Sequence, residues 1–247
     1  MLRVLVCVLM TALTLAPSAY AGDILEYKET IGEEVSTFIV NVVEDSKEVI
    51  RFRASSTTGE QVVSVLDSRD GSNLSWSQTK GKRSVEARRT GNLLQVRTRD
   101  VGEIKLTEHN LDQAPWIQSR EFGMRGFASN PDQESREFWI INPSDFSLNR
   151  MKAVKKETVR IKCGEQTHEA VRVVVSLAGW KSIFWSSEFW FRLADGLFLK
   201  YVGQKSGPNS PEVVSVLARE IRGLTAGAYD QSDLTALLQE EKPTKTR

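Results

Sequence analysis

Apolar and polar residues alternate with a period of two along most of this chain, the spacing of half-buried β-strands. Phe38, Val40 and Val42 alternate with Thr37, Ile39 and Asn41. Ile50, Phe52 and Ala54 alternate with Arg51 and Arg53, and Leu74 and Trp76 with Ser75 and Ser77. Polar turns such as Glu44-Asp45-Ser46, Thr57-Thr58-Gly59, Arg69-Asp70-Gly71, Lys80-Gly81-Lys82 and Thr90-Gly91-Asn92 break the pattern at regular intervals. Short strands so punctuated predict a sandwich, a barrel or a strongly curved sheet. No helix-period apolar pattern of useful length occurs before residue 110.

The rhythm changes after His109, and Pro115–Phe127 reads as a helix, with proline in its first turn and Gly123 and Gly126 weakening its end. Strands resume at Glu137–Ile141, Met151–Ile161 and Thr167–Leu177. The most apolar stretch follows, a three-stranded meander over Ser186–Leu193, Leu197–Val202 and Glu212–Ile221 turned at Ala194-Asp195-Gly196 and at 203–211. Strict alternation puts Phe189, Phe191 and Leu193 on one face, and separates Leu197, Leu199 and Tyr201 from Phe198 and Val202. Both faces therefore carry bulk, and the second must meet a helix, a partner or a lipid.

Met1–Ala21 has an early Arg3, a short apolar run and small residues at Ala19 and Ala21, the pattern of a cleaved secretory signal peptide. Residues 22–222 then form one curved β domain, and 223–247 a tail that is partly helical at Gln231–Glu240 or disordered. Losing Arg3 leaves basic and acidic residues equal in number, so net charge points to no nucleic-acid partner. Cys163 is then the lone cysteine, so no internal disulfide forms despite the oxidising destination of an exported chain.

Catalytic signals are sparse. His109 and His168 lack metal-site spacing, and Cys163 with His168 reads as a turn beside a polar strand face rather than a thiol-imidazole pair. Asp195-Gly196 reads as a turn. The expectation is no catalytic residues, no metal and no cofactor. Lys80, Lys82, Arg83, Arg88, Arg89, Arg97 and Arg99 gather on neighbouring strands, either as a solvated face paired with Glu86, Asp100 and Glu103 or as a contact for anionic membrane head groups. Asn73-Leu74-Ser75 matches a glycosylation sequon, a motif short enough to recur by chance.

The order of features then resembles a known family. The runs FWIINPSDFSLNRMKAVKKETVRI and CGEQTHEAVRVVV, followed by SIFWSSEFWFRLADGLFLKYVGQKSGPNSPEVVSVL, look like exported bacterial proteins of unknown function. That family is similar in fold to the periplasmic lipoprotein carriers LolA and LolB. The most specific part is the rhythm from Trp190 through Arg192, Asp195, Gly196, Leu197 and Leu199 to Tyr201. The resemblance implies a mainly β fold: a strongly curved antiparallel sheet, forming an incomplete barrel whose concave side is capped by a short helical segment and can enclose an apolar ligand. It transfers no catalytic residue.

The expected lining of that concavity is Trp180, Phe184, Trp185, Phe189, Phe191, Leu197, Leu199 and Tyr201. The expected role is a periplasmic, non-enzymatic protein holding a lipid, a lipoprotein acyl chain or another hydrophobic ligand. The alternative is a filled core and an envelope protein that binds another protein through an exposed edge or aromatic patch.

Overall fold

The computed structural model describes residues 22–142, 145–183, 185–204 and 210–223. The signal peptide read at Met1–Ala21, the helix expected at Gln231–Glu240 and Phe184 lie outside the described residues.

Alternation at period two is realised as fourteen antiparallel strands in one sheet. The first meander comprises β1 (Ile24–Ile31), β2 (Glu34–Asp45), β3 (Val49–Ser56), β4 (Glu60–Asp67), β5 (Asn73–Lys80), β6 (Arg83–Thr90), β7 (Leu93–Asp100) and β8 (Glu103–Asn110). The second comprises β9 (Ser135–Ile141), β10 (Leu148–Cys163), β11 (Gln166–Leu177), β12 (Ser186–Arg192), β13 (Phe198–Gln204) and β14 (Glu212–Ile221). Each strand pairs with its neighbours in sequence, and the two meanders join where β1 runs antiparallel to β14, Ile24 opposite Ile221 and Ile31 opposite Val213. The free edges, β8 and β9, are consecutive in the chain, so the connection between them spans the opening of an incomplete barrel.

That connection differs from the helix expected at Pro115–Phe127. Residues 115–119 are not helical, Trp116 forms a parallel bridge with Trp139, and helix appears in this connection as two short pieces, α1 (Arg120–Gly123) and α2 (Arg125–Ser129). The non-helical part serves as a latch. Trp139 N–H donates to Pro115 O (2.8 Å) and Ile117 N–H to Trp139 O (2.9 Å), which satisfies part of the β9 edge. Gln118 continues this with its side chain, accepting from Ile141 N and donating to Ile141 O. On the other side Asn73 N–H donates to Trp116 O (2.7 Å). A helix there would consume these backbone groups internally and leave the edge unpaired.

Asn73 secures the latch. It is fully buried, donates to Ser64 Oγ (2.8 Å) and accepts from the N–H of Gln118 (2.7 Å) and Ser119 (3.2 Å). The sequon asparagine is thus an interior bolt, inaccessible to a glycan in the folded chain. The helical pieces then enter the concavity, where Phe122 stacks on Phe52 at 4.2 Å between centroids. Gly71 has φ +68° and lies directly against the Gly123 carbonyl, so only glycine allows α1 to approach the β4–β5 turn this closely.

Two apolar clusters result. The larger joins β1–β4, both helices and β9–β14, and the smaller packs Trp76, Val85, Ala87, Leu94, Val96 and Ile141 around Trp116.

Bulges account for two departures from strict alternation. A register shift between β4 and β5 leaves Leu74 38% exposed while Trp76 is buried. A second, between Trp190 and Phe191, sets Phe191 opposite Phe198 while Phe189 stays opposite Tyr201. Phe198 therefore joins Tyr201 on the inner face instead of opposing it. The second apolar surface of the meander meets the chain itself. The tip of the long β10–β11 hairpin reaches β13 and β14, where Cys163 Sγ donates to Leu199 O (3.8 Å) and Gly164 faces Ala218 O.

Candidate functional site

An open groove of about 630 Å³ lies between the inner face of the sheet and α1. Alternation places its floor: Tyr27 on β1, Phe38 and Val40 on β2, Phe52 on β3, Val62 on β4 and Trp76 on β5 all turn inward. Phe198, Tyr201 and Val213 line it from β13 and β14, and Ser119, Arg120, Glu121 and Phe122 line it from α1 and the residue before it. Polar residues sit towards the hairpin tips, namely Glu29, Glu34, Ser36, Ser56, Thr58, Glu60, Gln78 and Lys80. Glu60 accepts from Gln78 Nε2 (2.6 Å) and stands 3.9 Å from Lys80 Nζ.

The eight residues singled out from sequence are not gathered in this groove. Of the seven among them that are described, Tyr201 alone lines it. Phe189, Phe191, Leu197 and Leu199 are at most 1% exposed and belong to the packed core behind it. Trp185 is half-buried against that core. Trp180, on a 3-10 turn at Gly179–Ile183, is 74% exposed and points away. Phe189 still shapes the site indirectly, because Tyr201 packs edge-on against it at 4.9 Å.

The lining residues that sequence reasoning passed over come from β1–β5. Their inward alternation was legible, but an apolar row looks the same whether a helix covers it or leaves it open. Phe198 was missed because a bulge, invisible in the residue pattern, moved it inward.

Electrostatics in the wall is uneven. Burial pushes the Tyr201 phenol above its usual range, partly countered by the field of Arg120. Tyr201 donates to Gln204 O at 3.3 Å, and Tyr27 to Phe198 O at 3.1 Å. The guanidinium of Arg120 lies 5.3 Å from the centre of the Phe189 ring.

Away from the groove the chemistry is structural. Burial raises the Cys163 thiol pKa, the opposite of nucleophile activation. Arg192 binds Asp195 Oδ1 (2.8 Å) and Glu220 Oε2 (2.8 Å), tying the β12–β13 turn to β14. Burial opposes the arginine's charge, yet these two carboxylates more than offset it and raise its pKa. Among the described residues no group of three or more His, Cys, Asp or Glu is placed to hold a metal ion. The basic residues of β5–β7 divide between faces: Arg88, Arg97 and Arg99 share the outer face with Glu86, whereas Lys80 turns to the groove. Arg83 forms a bidentate pair with Asp100.

No family model and no curated protein sequence matches the chain. Among solved structures, it is similar to a beta-barrel-like protein of the domain of unknown function DUF1849 from Brucella abortus. The TM-score is 0.55 at 8% identity, over 83% of this chain and 98% of that one. A hypothetical lipoprotein, YmcC, from Escherichia coli (K12) gives 0.36 at 9% identity, over 83% and 88%. A putative outer membrane lipoprotein-sorting protein domain from Vibrio parahaemolyticus gives 0.28 at 8% identity, over 87% and 90%. The first likeness establishes a shared barrel-like fold, in agreement with the expected incomplete barrel. The other two are too distant in geometry to bear on the argument.

Proposed function

We propose that this chain is an exported, non-enzymatic binding protein that holds a lipid, an acyl chain or another hydrophobic ligand in the groove between β1–β5 and α1. The observation that carries this reading is a groove left open beside a well-packed core, floored by Tyr27, Phe38, Phe52, Val62 and Trp76. Its size falls in the range of small-molecule sites, roughly 300–1,000 Å³. A ligand burying about 300 Å² of apolar surface there gains on the order of 7 kcal/mol before the costs of association. Of the described residues expected from sequence to line the concavity, Tyr201 is assigned to ligand contact, and Phe189, Phe191, Leu197 and Leu199 support the wall behind it. The signal-peptide pattern at Met1–Ala21 supports export, and the periplasm is the compartment proposed.

Mild purification from the native host followed by native mass spectrometry tests this reading. The expected result is added mass that extracts into organic solvent and is lost in Val62→Trp, which fills the floor. A clean apo mass, together with no uptake of a fluorescent fatty-acyl probe, would overturn it.

A second reading is favoured by one feature, the edge strand β8. Leu111 N–H donates to Asn92 O, which fixes the hydrogen-bonding phase so that the N–H and C=O groups of Ile104, Leu106 and Glu108 point away from β7. Ile104 and Leu106 are 51% and 63% exposed. Such an edge can accept an extended strand of an envelope protein. Loss of an envelope partner on Leu106→Pro, with groove binding intact, would favour it over the carrier reading.

A further inference from the structure

Among the buried and half-buried arginines, Arg125 pairs with Asp45 at 3.1 Å, Arg172 with Glu157 and Glu188, and Arg192 with Asp195 and Glu220, while Arg136 and Arg89 donate to the backbone carbonyls of Asp70 and Gly91. Arg120 differs. Among the described residues no carboxylate forms an ion pair with it, and its guanidinium rests over the Phe189 ring inside the groove wall. A guanidinium partly withdrawn from water without a carboxylate partner keeps a strong and unspent capacity for charge-assisted hydrogen bonds. It lies over the same Phe189 ring against which Tyr201 packs, so the lining that holds Phe38, Val62 and Trp76 also holds one cation with no ion-pair partner among the described residues.

From this juxtaposition we infer that the groove selects a single-chain amphiphile with a singly charged anionic head, a fatty carboxylate. Its carboxylate meets Arg120 and its alkyl chain lies over Phe38, Phe52 and Trp76. This deepens the carrier reading and rests on it. A carboxylate fits better than a phosphate monoester because Glu29, Glu34, Glu60 and Glu121 line the same groove, and a second negative charge on the head would add to their repulsion without a second unpaired cation to offset it. The guanidinium matches a carboxylate in the two-pronged geometry that an alcohol cannot supply.

Calorimetric titration of the full secreted chain with octanoate, octanol and octyl phosphate separates the terms. Octanoate is expected to bind at least tenfold more tightly than octanol and more tightly than octyl phosphate. Arg120→Gln is expected to abolish the preference for octanoate while changing octanol affinity less than twofold, and Arg120→Lys to restore part of it. Melting curves confirm folding, and Arg120→Met, which keeps the aliphatic stem over Phe189, replaces the Gln variant if that one unfolds. Octanol binding as well as octanoate, or a preference that survives in Arg120→Gln, would overturn the assignment while leaving a hydrophobic groove standing. Stronger binding of octyl phosphate would overturn the carboxylate choice. Failure of all three to bind would overturn the carrier reading as well.

Discussion

Replacing Asn73 with alanine strips the latch of its bolt, and the structure sets the scale of the loss. The side chain is fully buried and holds three neighbours: Ser64 Oγ at 2.8 Å, Gln118 N at 2.7 Å and Ser119 N at 3.2 Å. After truncation the Ser64 and Ser119 hydroxyls retain each other at 2.8 Å, so the main cost is two backbone N–H groups deprived of their acceptor. The N–H of Gln118 is only partly buried and water recovers some of its bond, whereas Ser119 is 4% exposed and recovers little. At about 1–3 kcal/mol for each buried unsatisfied group, the total comes to roughly 2–4 kcal/mol. For a domain of this size that lowers the melting temperature by about 5–15 °C. Urea unfolding followed by circular dichroism, with an unchanged m value, measures it. Ser64→Ala removes the bonds of that hydroxyl to Asn73 and Ser119 but keeps the latch acceptor and leaves Asn73 Nδ2 the Ser119 hydroxyl at 3.5 Å, so it is expected to cost less, about 1–2 kcal/mol. An Asn73→Ala protein within about 0.5 kcal/mol of the parent, or no worse than Ser64→Ala, would refute the reasoning and show that packing of Trp116 and Ile117 alone holds the segment.

Other expectations follow from the same contacts. Gly71→Ala adds a Cβ directly onto the Gly123 carbonyl at φ +68°, so the β4–β5 turn or α1 must shift; a large loss of thermal stability is expected by calorimetry, and an unchanged transition would show that the approach is not tight. Phe191→Ala empties a fully buried position and is expected to cost about 3–5 kcal/mol in urea unfolding; a loss below about 1 kcal/mol would contradict the packing described. Burial raises the Glu220 pKa but Arg192 and Arg222 outweigh it, so the folded-state value lies below the ordinary 4.5. A lowered folded pKa gives stability that is fully present above the unfolded value and lost as pH falls through the folded one. Urea midpoints should therefore drop between about pH 5 and pH 3, and less steeply in Arg192→Gln; equal slopes in both proteins would remove Arg192 as the cause.

The strands were legible because alternation and polar turns agreed over most of the chain. Ile50, Phe52 and Ala54 are buried and Arg51 and Arg53 exposed, as their spacing requires. What stayed hidden depends on partners far apart in sequence. Pro115 and Trp116 carry helix-compatible signals, yet the unpaired β9 edge draws them into extended pairing, a tertiary demand that local propensity does not encode. The bulges at Leu74 and between Trp190 and Phe191 reverse the facing of single residues, and nothing in residue type marks them. The aromatic concentration of the last meander signalled the core, while the groove formed at β1–β5, where α1 stops short of covering the floor. Burial patterns identify which residues face inward; only the position of the cover decides which of these a ligand can reach.

The central claim, an apolar chain lodged against β1–β5, is tested most directly by a crystal structure of the protein with a terminally brominated alkanol, whose bromine is located by anomalous scattering. The account predicts a single strong peak inside the groove within van der Waals reach of Phe38, Phe52 or Trp76. Bromine found only on the outer surface, for instance beside Trp180 or Leu106, with the groove closed by Phe122 or Tyr201, would contradict it.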